Sequence, residues 1–297
     1  MTDAATDTGL SEAEAASFRQ RCIDFFESRP TQQGPPSFEE SQNFHRAAAE
    51  AGVGVGISIP TEYGGVGLTL AHDKIWRQVK EDYPVMETDF VISHGMCLPM
   101  VSDHGTHEQK LAFLPEMISG DKLWCQMFSE PGAGSDVASL QTKAEIDGDE
   151  WIVNGQKVWT TLAHRSQFGL LVARNDPDQV KHAGLSMFIV DMQADGVETR
   201  PIHQINGESH FNEVFFTDLR VPKNQLLGEL NTGWKLATAM LMYERVAIGA
   251  GGGGGINTPM YDLLHKHAAA SGAINNAVVR DQLMQVYSME TTKAVSY

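Results

Sequence analysis

The sequence has no run of about 20 apolar residues, which is the length that a membrane-spanning helix requires. Its first residues, MTDAATDTGLSEAEAAS, are acidic and polar, and they lack the apolar core of a secretory signal. Neither a membrane span nor secretion is therefore expected, and we predict a cytoplasmic protein.

Cysteine is also scarce, and the three cysteines are widely spaced, at Cys22, Cys97 and Cys125. They form no CxxC pair, and no cysteine–histidine spacing typical of a zinc site occurs. We expect reduced thiols and no bound metal.

Basic residues are too few to favour a nucleic-acid or anionic-membrane partner. The 22 lysines and arginines are outnumbered by 38 aspartates and glutamates, which gives a net charge of −16. An anionic small molecule remains compatible with this total, because a local cationic site can form on an acidic protein.

The period of the apolar residues divides the chain into three zones. Residues 1–122 indicate an N-terminal all-α domain, with apolar residues every three to four positions and a capping box at Ser11 and Glu14. Residues 123–230 change to a period of two, which predicts a central antiparallel β-barrel or sandwich. Residues 231–297 return to a helical period and predict the start of an incomplete C-terminal helical domain. The expected fold class is therefore α+β.

Turn residues inside these zones give finer expectations. Gly148-Asp149 and Asn154-Gly155 each separate short period-two runs, and both pairs are typical of β-hairpins. The glycines at 251–255 interrupt helical sequence, where either a loosened helix or a linker is expected.

The stretch MFSEPGAGSDVASL, residues 127–140, contains two closely spaced glycines. It does not match a dinucleotide fingerprint, because Gly132 and Gly134 are followed by Val137 instead of a third glycine. No Gly-Lys-Ser/Thr of a Walker loop is nearby. We interpret residues 131–136 as a tight loop whose free backbone N–H groups can hold an anion or the edge of a flavin.

Eight ordered segments between about residues 10 and 250 share their sequence and order with one known family. They are residues 60–67 (PTEYGGVG), 105–109 (GTHEQ), 114–115 with 119–120, 129–136 (SEPGAGSD), 154–157 (NGQK), 159–161 (WTT), 221–222 (VP) and 244–245 (ER). This set resembles the acyl-CoA dehydrogenases. The resemblance implies an N-terminal helical domain, a central β-domain and a C-terminal helical bundle.

The resemblance also implies an activity, a cofactor and partners. Such an enzyme uses FAD to dehydrogenate an acyl-CoA thioester between its α and β carbons, and it passes the electrons to an electron-transfer flavoprotein. The family assembles into oligomers, so a homo- or hetero-oligomer is expected. A non-catalytic partner subunit and an acyl-CoA oxidase on the same fold are the alternatives.

By the same resemblance, the flavin-lining residues are Gln126, Phe128 and Ser129 on one segment, and Trp159 and Thr161 on another. Strand alternation predicts that Trp159 and Thr161 share a face. A core aromatic is the alternative for Trp159.

Two further residues match positions that bind substrate in the family. Ser135 matches a residue that contacts the phosphopantetheine arm, and the alternative is a turn-forming serine. Arg245 matches an arginine near the CoA moiety, and the alternative is an interdomain salt bridge.

Glu244 is the predicted catalytic base. It shares one helical stripe with four apolar residues, Trp234, Ala237, Leu241 and Ile248. A carboxylate on an apolar stripe is costly unless it is paired or neutral, and some family members carry their catalytic glutamate at this helix position. The alternative is an ion pair with a neighbouring cation, for which Arg245, Lys235 and Arg220 are candidates.

The sequence departs from typical members after this helix. Their Arg-x-x-Phe-Gly segment, which reaches FAD in a neighbouring subunit, is absent. The family's last helices are also missing, and the alternatives are a fragment, one half of a split protein or an inactive subunit. The first departure resembles a bacterial subgroup in which two different chains associate.

Overall fold

The computed structural model describes residues 10–29, 36–83, 89–247 and 260–295. The chain divides into two compact units, Met1–Gly253 and Gly254–Tyr297. The helices of the first unit are α1 (Glu12–Glu27), α2 (Phe38–Glu50), α3 (Leu70–Lys80), α4 (Leu98–His104), α5 (His107–Ile118) and α6 (Gly233–Ala247). Those of the second are α7 (Met260–Ala270) and α8 (Ala277–Val295).

The N-terminal helices begin where the sequence predicts. The Ser11 hydroxyl accepts a hydrogen bond from the N–H of Glu14 at 3.3 Å, and the Glu14 carboxylate accepts one from the N–H of Ser11 at 3.0 Å. This capping box satisfies N–H groups that the first helical turn leaves free. The apolar face of α1 then packs against α2 and α3 through Phe25, Phe44 and Trp76.

The middle of the chain forms one eight-stranded sheet. Its strands are β1 (Trp124–Met127), β2 (Lys143–Asp147), β3 (Glu150–Thr161), β4 (Phe168–Arg174), β5 (Leu185–Asp191), β6 (Val197–Ile202), β7 (Phe211–Pro222) and β8 (Leu226–Leu227). The main path runs β6-β7-β3-β2-β4-β5-β8, and β1 pairs with β4 off this path. Along this path in the described residues, the edge strands β6 and β8 do not pair.

The sheet is mixed and open, which differs in detail from the expected antiparallel barrel or sandwich. β1 pairs with β4 in parallel, and Lys143 of β2 pairs in parallel with Arg174. Parallel pairing requires a long connection between strands, and the 40 residues that separate β1 from β4 also hold β2 and β3. Alternation within each strand contains no signal for such a distant pairing.

The hairpin prediction is confirmed at one site and wrong at the other. Gly148-Asp149 joins β2 to β3, with Asp147 paired to Glu150. At Asn154-Gly155 the chain does not turn, and β3 continues as one strand with a bulge between Val153 and Gly155. Gly155 has φ of 151° and lies so close to Thr142 that a Cβ would come within 2.5 Å of the threonine hydroxyl. The glycine therefore serves close strand packing instead of a turn.

Helix α6 returns the chain to the sheet. Its first residue, Gly233, lies against the backbone of β5, where an added Cβ would come within 2.6 Å of Ser186. Leu236, Ala237 and Met240 are buried in the core that α4, α5, β4 and β5 share. This packing places the C-terminal turn of α6, with Glu244, beside α4 and the segment before it.

The domain boundaries predicted at 122/123 and 230/231 remain predictions. The glycines at 251–255 and Ile248 of the predicted apolar stripe lie outside the described residues. No helix in the described ranges has the length and apolar character needed to cross a membrane.

Candidate active site

The segment that follows β1 runs beside β3 and carries two predicted site residues. Phe128 is buried in the core, while Ser129 is half-buried. The Ser129 carbonyl accepts a hydrogen bond from the N–H of Val158 at 2.9 Å. Because Trp159 follows Val158, the structure brings Ser129 close to Trp159. Gln126 lies half-buried in β1, two residues before Phe128.

Trp159 lies at an irregular point of β3. A register shift falls between Lys157 and Thr160, and Trp159 has a left-handed φ of 61°. Its side chain is 60% exposed, so it is not a core aromatic. The rings of Trp159 and Phe211 are nearly perpendicular, and their centroids are 6.0 Å apart.

The bulge also changes the expected alternation beyond Trp159. Lys157 and Thr160 are both buried, so the buried positions change from odd to even residue numbers across the bulge. Trp159 is exposed and Thr161 is half-buried, one on each side of the buried Thr160, and a shared face for Trp159 and Thr161 remains a prediction. Within the described residues, the buried Thr160 hydroxyl has no hydrogen-bond partner.

Two residues that sequence reasoning missed hold this region together. Lys157 is completely buried, and its ammonium donates hydrogen bonds to the Phe128 carbonyl at 2.9 Å and to Glu130 Oε1 at 2.8 Å. Glu130 also accepts hydrogen bonds from the N–H groups of Gln141, at 2.6 Å, and Thr142, at 3.0 Å. Strand alternation could have predicted that Lys157 is buried, because Lys157 lies an even number of residues from the buried Trp151 and Val153 in the same strand.

Burial and pairing act on the pKa values of this pair. Burial opposes the ionisation of Glu130. The Lys157 ammonium and the hydrogen bonds that Glu130 accepts outweigh the effect of burial, so the pKa of Glu130 is lowered. Complete burial lowers the pKa of Lys157 to about 8, and the opposing attraction of Glu130 only limits this decrease. Both groups are therefore charged at neutral pH.

The glycine-containing loop forms a tight turn, as the sequence predicts. Glu130 and Ala133 exchange backbone hydrogen bonds at 2.9 and 3.0 Å. Ser135 is exposed, and the next residue, Asp136, forms an ion pair with Lys181 at 2.5 Å. An open cavity of about 490 Å³ lies beside the turn, and its lining includes Gly132, Gln141 and Gln156. Ser129, Trp159 and Glu244 are not among the residues that line this cavity.

Glu244 lies half-buried on α6, one turn after the buried Met240. Within the described residues, no cation lies within ion-pair distance of its carboxylate. Arg220, one candidate partner, instead pairs with Glu150 at 2.8 Å and with Asp147 at 3.3 Å. Arg245 is exposed, and its guanidinium approaches the Met242 sulfur at 3.8 Å.

The helical turn that carries Glu244 is held on both sides. The Tyr243 phenol donates a hydrogen bond to the Asp103 carboxylate at the end of α4. Ala247 packs on Gly95, where an added Cβ would come within 2.7 Å of the alanine Cβ. Gly95 belongs to a π-helical turn, Ser93–Cys97, and such turns are frequent at functional sites.

The structure thus brings together some of the predicted residues. The backbone hydrogen bond from Val158 to Ser129 places Phe128 and Ser129 beside the part of β3 that carries Trp159, and Thr161 follows in the same strand. No hydrogen bond or ion pair links Glu244 to this group in the described part of the chain. Ser135 and Arg245 are both exposed, and within the described residues neither forms a hydrogen bond or ion pair with Phe128, Ser129 or Trp159.

This meeting point suits a flavin. The exposed Trp159 indole offers a flat apolar surface, and Ser129 offers a hydroxyl and an amide N–H. Among the described residues, none accepts a hydrogen bond from either Ser129 donor. A ring with a flat face and a polar edge fits these donors, so the residues present are compatible with FAD.

Comparison with known proteins agrees with this interpretation. The model of the acyl-CoA dehydrogenase N-terminal domain matches residues 12–121, and that of the acyl-CoA dehydrogenase middle domain matches residues 125–219. Acyl-CoA dehydrogenase FadE34 of Mycobacterium tuberculosis is 44% identical over 69% of this chain and 28% of its own length. Acyl-CoA dehydrogenase IpdE1 of Mycolicibacterium smegmatis is 36% identical over 85% of this chain and 66% of its own length.

Solved structures share the fold over nearly the whole chain. The Tcur3481-Tcur3483 steroid ACAD has a TM-score of 0.76 at 29% identity, covering 95% of this chain and 74% of that one. The ChsE4-ChsE5 complex from Mycobacterium tuberculosis has a TM-score of 0.69 at 29% identity, covering 97% and 74%.

The chain spans between about a quarter and two thirds of the length of these curated relatives. The two matched domains nevertheless account for most of its residues. The chain therefore belongs to the acyl-CoA dehydrogenase family, an FAD-dependent family of oxidoreductases.

Proposed function

We propose that this chain is the flavin-binding part of an acyl-CoA dehydrogenase that converts an acyl-CoA thioester to its trans-2-enoyl-CoA. The observation that supports this most directly is the hydrogen bond between Val158 and Ser129, because it unites the two predicted flavin-lining segments. FAD, when bound, supplies the hydride acceptor for such a reaction.

In this proposal Gln126, Phe128, Ser129, Trp159 and Thr161 bind and orient the flavin ring. The Trp159 indole covers part of the ring and keeps water from it, and the Ser129 hydroxyl and amide donate hydrogen bonds to its edge. Ser135 and Arg245 bind the phosphopantetheine and CoA portions of the substrate, for which their exposed side chains are accessible.

Glu244 acts as the general base and takes the α-proton of the thioester onto its carboxylate. Two observations support this role. The carboxylate is half-buried without an ion-pair partner among the described residues, and its turn is held by the Tyr243–Asp103 and Gly95–Ala247 contacts. A base must keep its position relative to the carbon it deprotonates, and a rigid turn provides this.

The electrons would pass to an electron-transfer flavoprotein, and the assembly would be a homo- or hetero-oligomer in the cytoplasm. A heteromeric assembly is favoured by the steroid ACAD and the ChsE4-ChsE5 complex, each described with two named components. For the same reason, a non-catalytic partner subunit is the second candidate function.

The test is to express the natural gene product together with its chromosomal neighbours. FAD content and the bleaching of flavin absorbance by short, long, branched and steroid-side-chain acyl-CoA thioesters would be measured. We expect bound FAD and bleaching with one substrate class. Purification without flavin, and none gained on adding FAD, would favour the non-catalytic subunit.

The base is tested in the same assay with Glu244→Gln. We expect this variant to keep its flavin but to lose substrate-dependent bleaching by at least about a hundredfold, in the range typical for a general base. The matched control is Glu229→Gln, an exposed glutamate just before α6. Full activity of Glu244→Gln would rule out the assignment.

A further inference from the structure

Lys157 is a fully buried lysine whose position the proposed reaction does not explain. Its ammonium lies inside the β-domain, 2.8 Å from Glu130 Oε1 and 2.9 Å from the Phe128 carbonyl. Removing two charges from water is costly, and apolar residues of similar volume often stabilise a fold as well as a buried ion pair or better. A contribution to folding alone is therefore a weak reason for this pair.

Glu130 accepts more hydrogen bonds than a simple counterion needs. Besides the hydrogen bond from Lys157, its carboxylate accepts hydrogen bonds from the backbone N–H groups of Gln141 and Thr142, in the segment that leads into β2. Together these contacts tie residues 128–130 to residues 141–142 and to β3. The Glu130–Lys157 pair therefore sets where the Phe128–Ser129 segment lies relative to Trp159.

The hydrogen bond to Phe128 also has an electronic effect. The Phe128 carbonyl and the Ser129 N–H belong to one peptide group, so a cation at the oxygen draws electron density away from the nitrogen. Hydrogen bonds in series strengthen one another in this way inside a protein. The Ser129 N–H therefore becomes a stronger hydrogen-bond donor, and no described residue accepts a hydrogen bond from it.

We propose that Glu130 and Lys157 form a positioning pair that orients and polarises the Phe128–Ser129 peptide toward the flavin ring. The inference rests on the proposed function, in which Ser129 donates to the ring. The Glu130 carboxylate balances the charge of the ammonium, so the effect on the ring comes from the donor: a stronger N–H donor stabilises the electron density that the ring gains on reduction. The pair therefore raises the affinity for FAD and the reduction potential of the bound flavin.

The test uses Lys157→Met, which keeps most of the unbranched side chain and removes the charge, in the FAD-loaded natural assembly. We expect the flavin midpoint potential to fall by about 30 mV, which is a tenfold shift in the ratio of oxidised to reduced flavin for a two-electron couple. FAD affinity should fall about tenfold as well. Lys143→Met and Glu145→Gln, both exposed on β2, are the matched controls and should leave both values unchanged.

A role in folding alone is separable from this role. Glu130→Gln/Lys157→Met removes the unpaired carboxylate that the single variant leaves buried, so it should recover stability while the potential stays low. If Lys157→Met does not fold, this double variant supplies the measurement. A wild-type potential in a folded variant without the ammonium overturns the inference but not the proposed function. Wild-type protein that binds no FAD overturns both.

Discussion

Tyr243 donates a hydrogen bond from its phenol to the carboxylate of Asp103, and this contact joins α6 to α4 one residue before Glu244. The hydrogen bond, followed by burial, raises the pKa of Tyr243 to about 12. The phenol is therefore neutral throughout the physiological range and remains a donor. The contact stabilises the turn that places the proposed base.

Replacing this phenol tests whether the turn must be held. Tyr243→Phe should lower the free energy of unfolding by about 1–2 kcal/mol, because a hydrogen bond to a charged acceptor is lost at a half-exposed site. The rate of flavin bleaching should fall while FAD content stays constant. Urea unfolding and single-turnover absorbance measure the two effects. Tyr287→Phe, at an exposed tyrosine of α8, is the control, and an equal effect there would contradict the prediction.

The contact between Gly95 and Ala247, on the other side of Glu244, can be tested by adding a methyl group at Gly95. Gly95→Ala should destabilise the protein by about 1–3 kcal/mol, because its new methyl overlaps the Ala247 methyl. A loss of stability would be informative, because replacing glycine by alanine within a helix normally stabilises it. Urea unfolding of the double variant Gly95→Ala/Ala247→Gly should show most of the stability restored.

An open glycine provides the control for that comparison. Gly132 has no atom within 4 Å of the position where its Cβ would be, so Gly132→Ala should change stability little. A double variant as unstable as Gly95→Ala alone would mean that the Gly95–Ala247 contact does not govern the position of α6.

Trp159 distinguishes a binding role from a structural one. Trp159→Gly should change the free energy of unfolding by no more than about 1 kcal/mol, because the ring is 60% exposed and glycine accepts a left-handed φ without strain. FAD affinity should fall at least about tenfold, since stacking on the flat ring is lost. Thermal unfolding of the flavin-free protein and flavin titration measure these quantities.

A buried tryptophan in the same strand is the matched control. Trp151→Ala should cost about 3–5 kcal/mol by leaving a cavity in the core. Unchanged FAD affinity in Trp159→Gly would remove Trp159 from the proposed flavin site.

The buried lysine predicts a pH dependence of stability. The pKa of Lys157 falls from an ordinary 10.5 to about 8 on folding. Between these values the unfolded chain holds a proton that the folded chain has released, so the free energy of unfolding rises with pH across this window. The increase due to this group is at most about 3 kcal/mol.

The variant Glu130→Gln/Lys157→Met, which lacks the titrating ammonium, should not show this rise. Urea unfolding of both proteins from about pH 7 to about pH 10 gives the comparison. Stability curves that run parallel over this range would show that Lys157 does not titrate there.

Local signals predicted much of this fold. The capping box at Ser11 and Glu14, and the turn at Gly148-Asp149, are decided by neighbours within a few residues. The same reasoning failed at Asn154-Gly155, where a turn-like pair serves a contact with Thr142 on another segment. It also missed the parallel pairing of β1 with β4, because the 40 residues between the two strands carry no local trace of it.

The candidate site also combines features that the sequence predicts with features that depend on distant contacts. The family resemblance predicts flavin-lining roles for Ser129 and Trp159 and a catalytic base at Glu244, and these roles remain predictions. The exposure of Trp159 depends on a bulge in β3 that alternation did not predict.

By itself, the sequence determined the family and the order of helical and strand zones, since these depend on residue identity and near neighbours. Which side chains carry the chemistry remains a prediction. Only the tertiary structure decided that Lys157 lies within 2.8 Å of Glu130 and that Tyr243 meets Asp103. Such pairs are distant in the chain, and they become neighbours because burial of the shared core brings their strands and helices together. Their energies depend on that burial as much as on their charges.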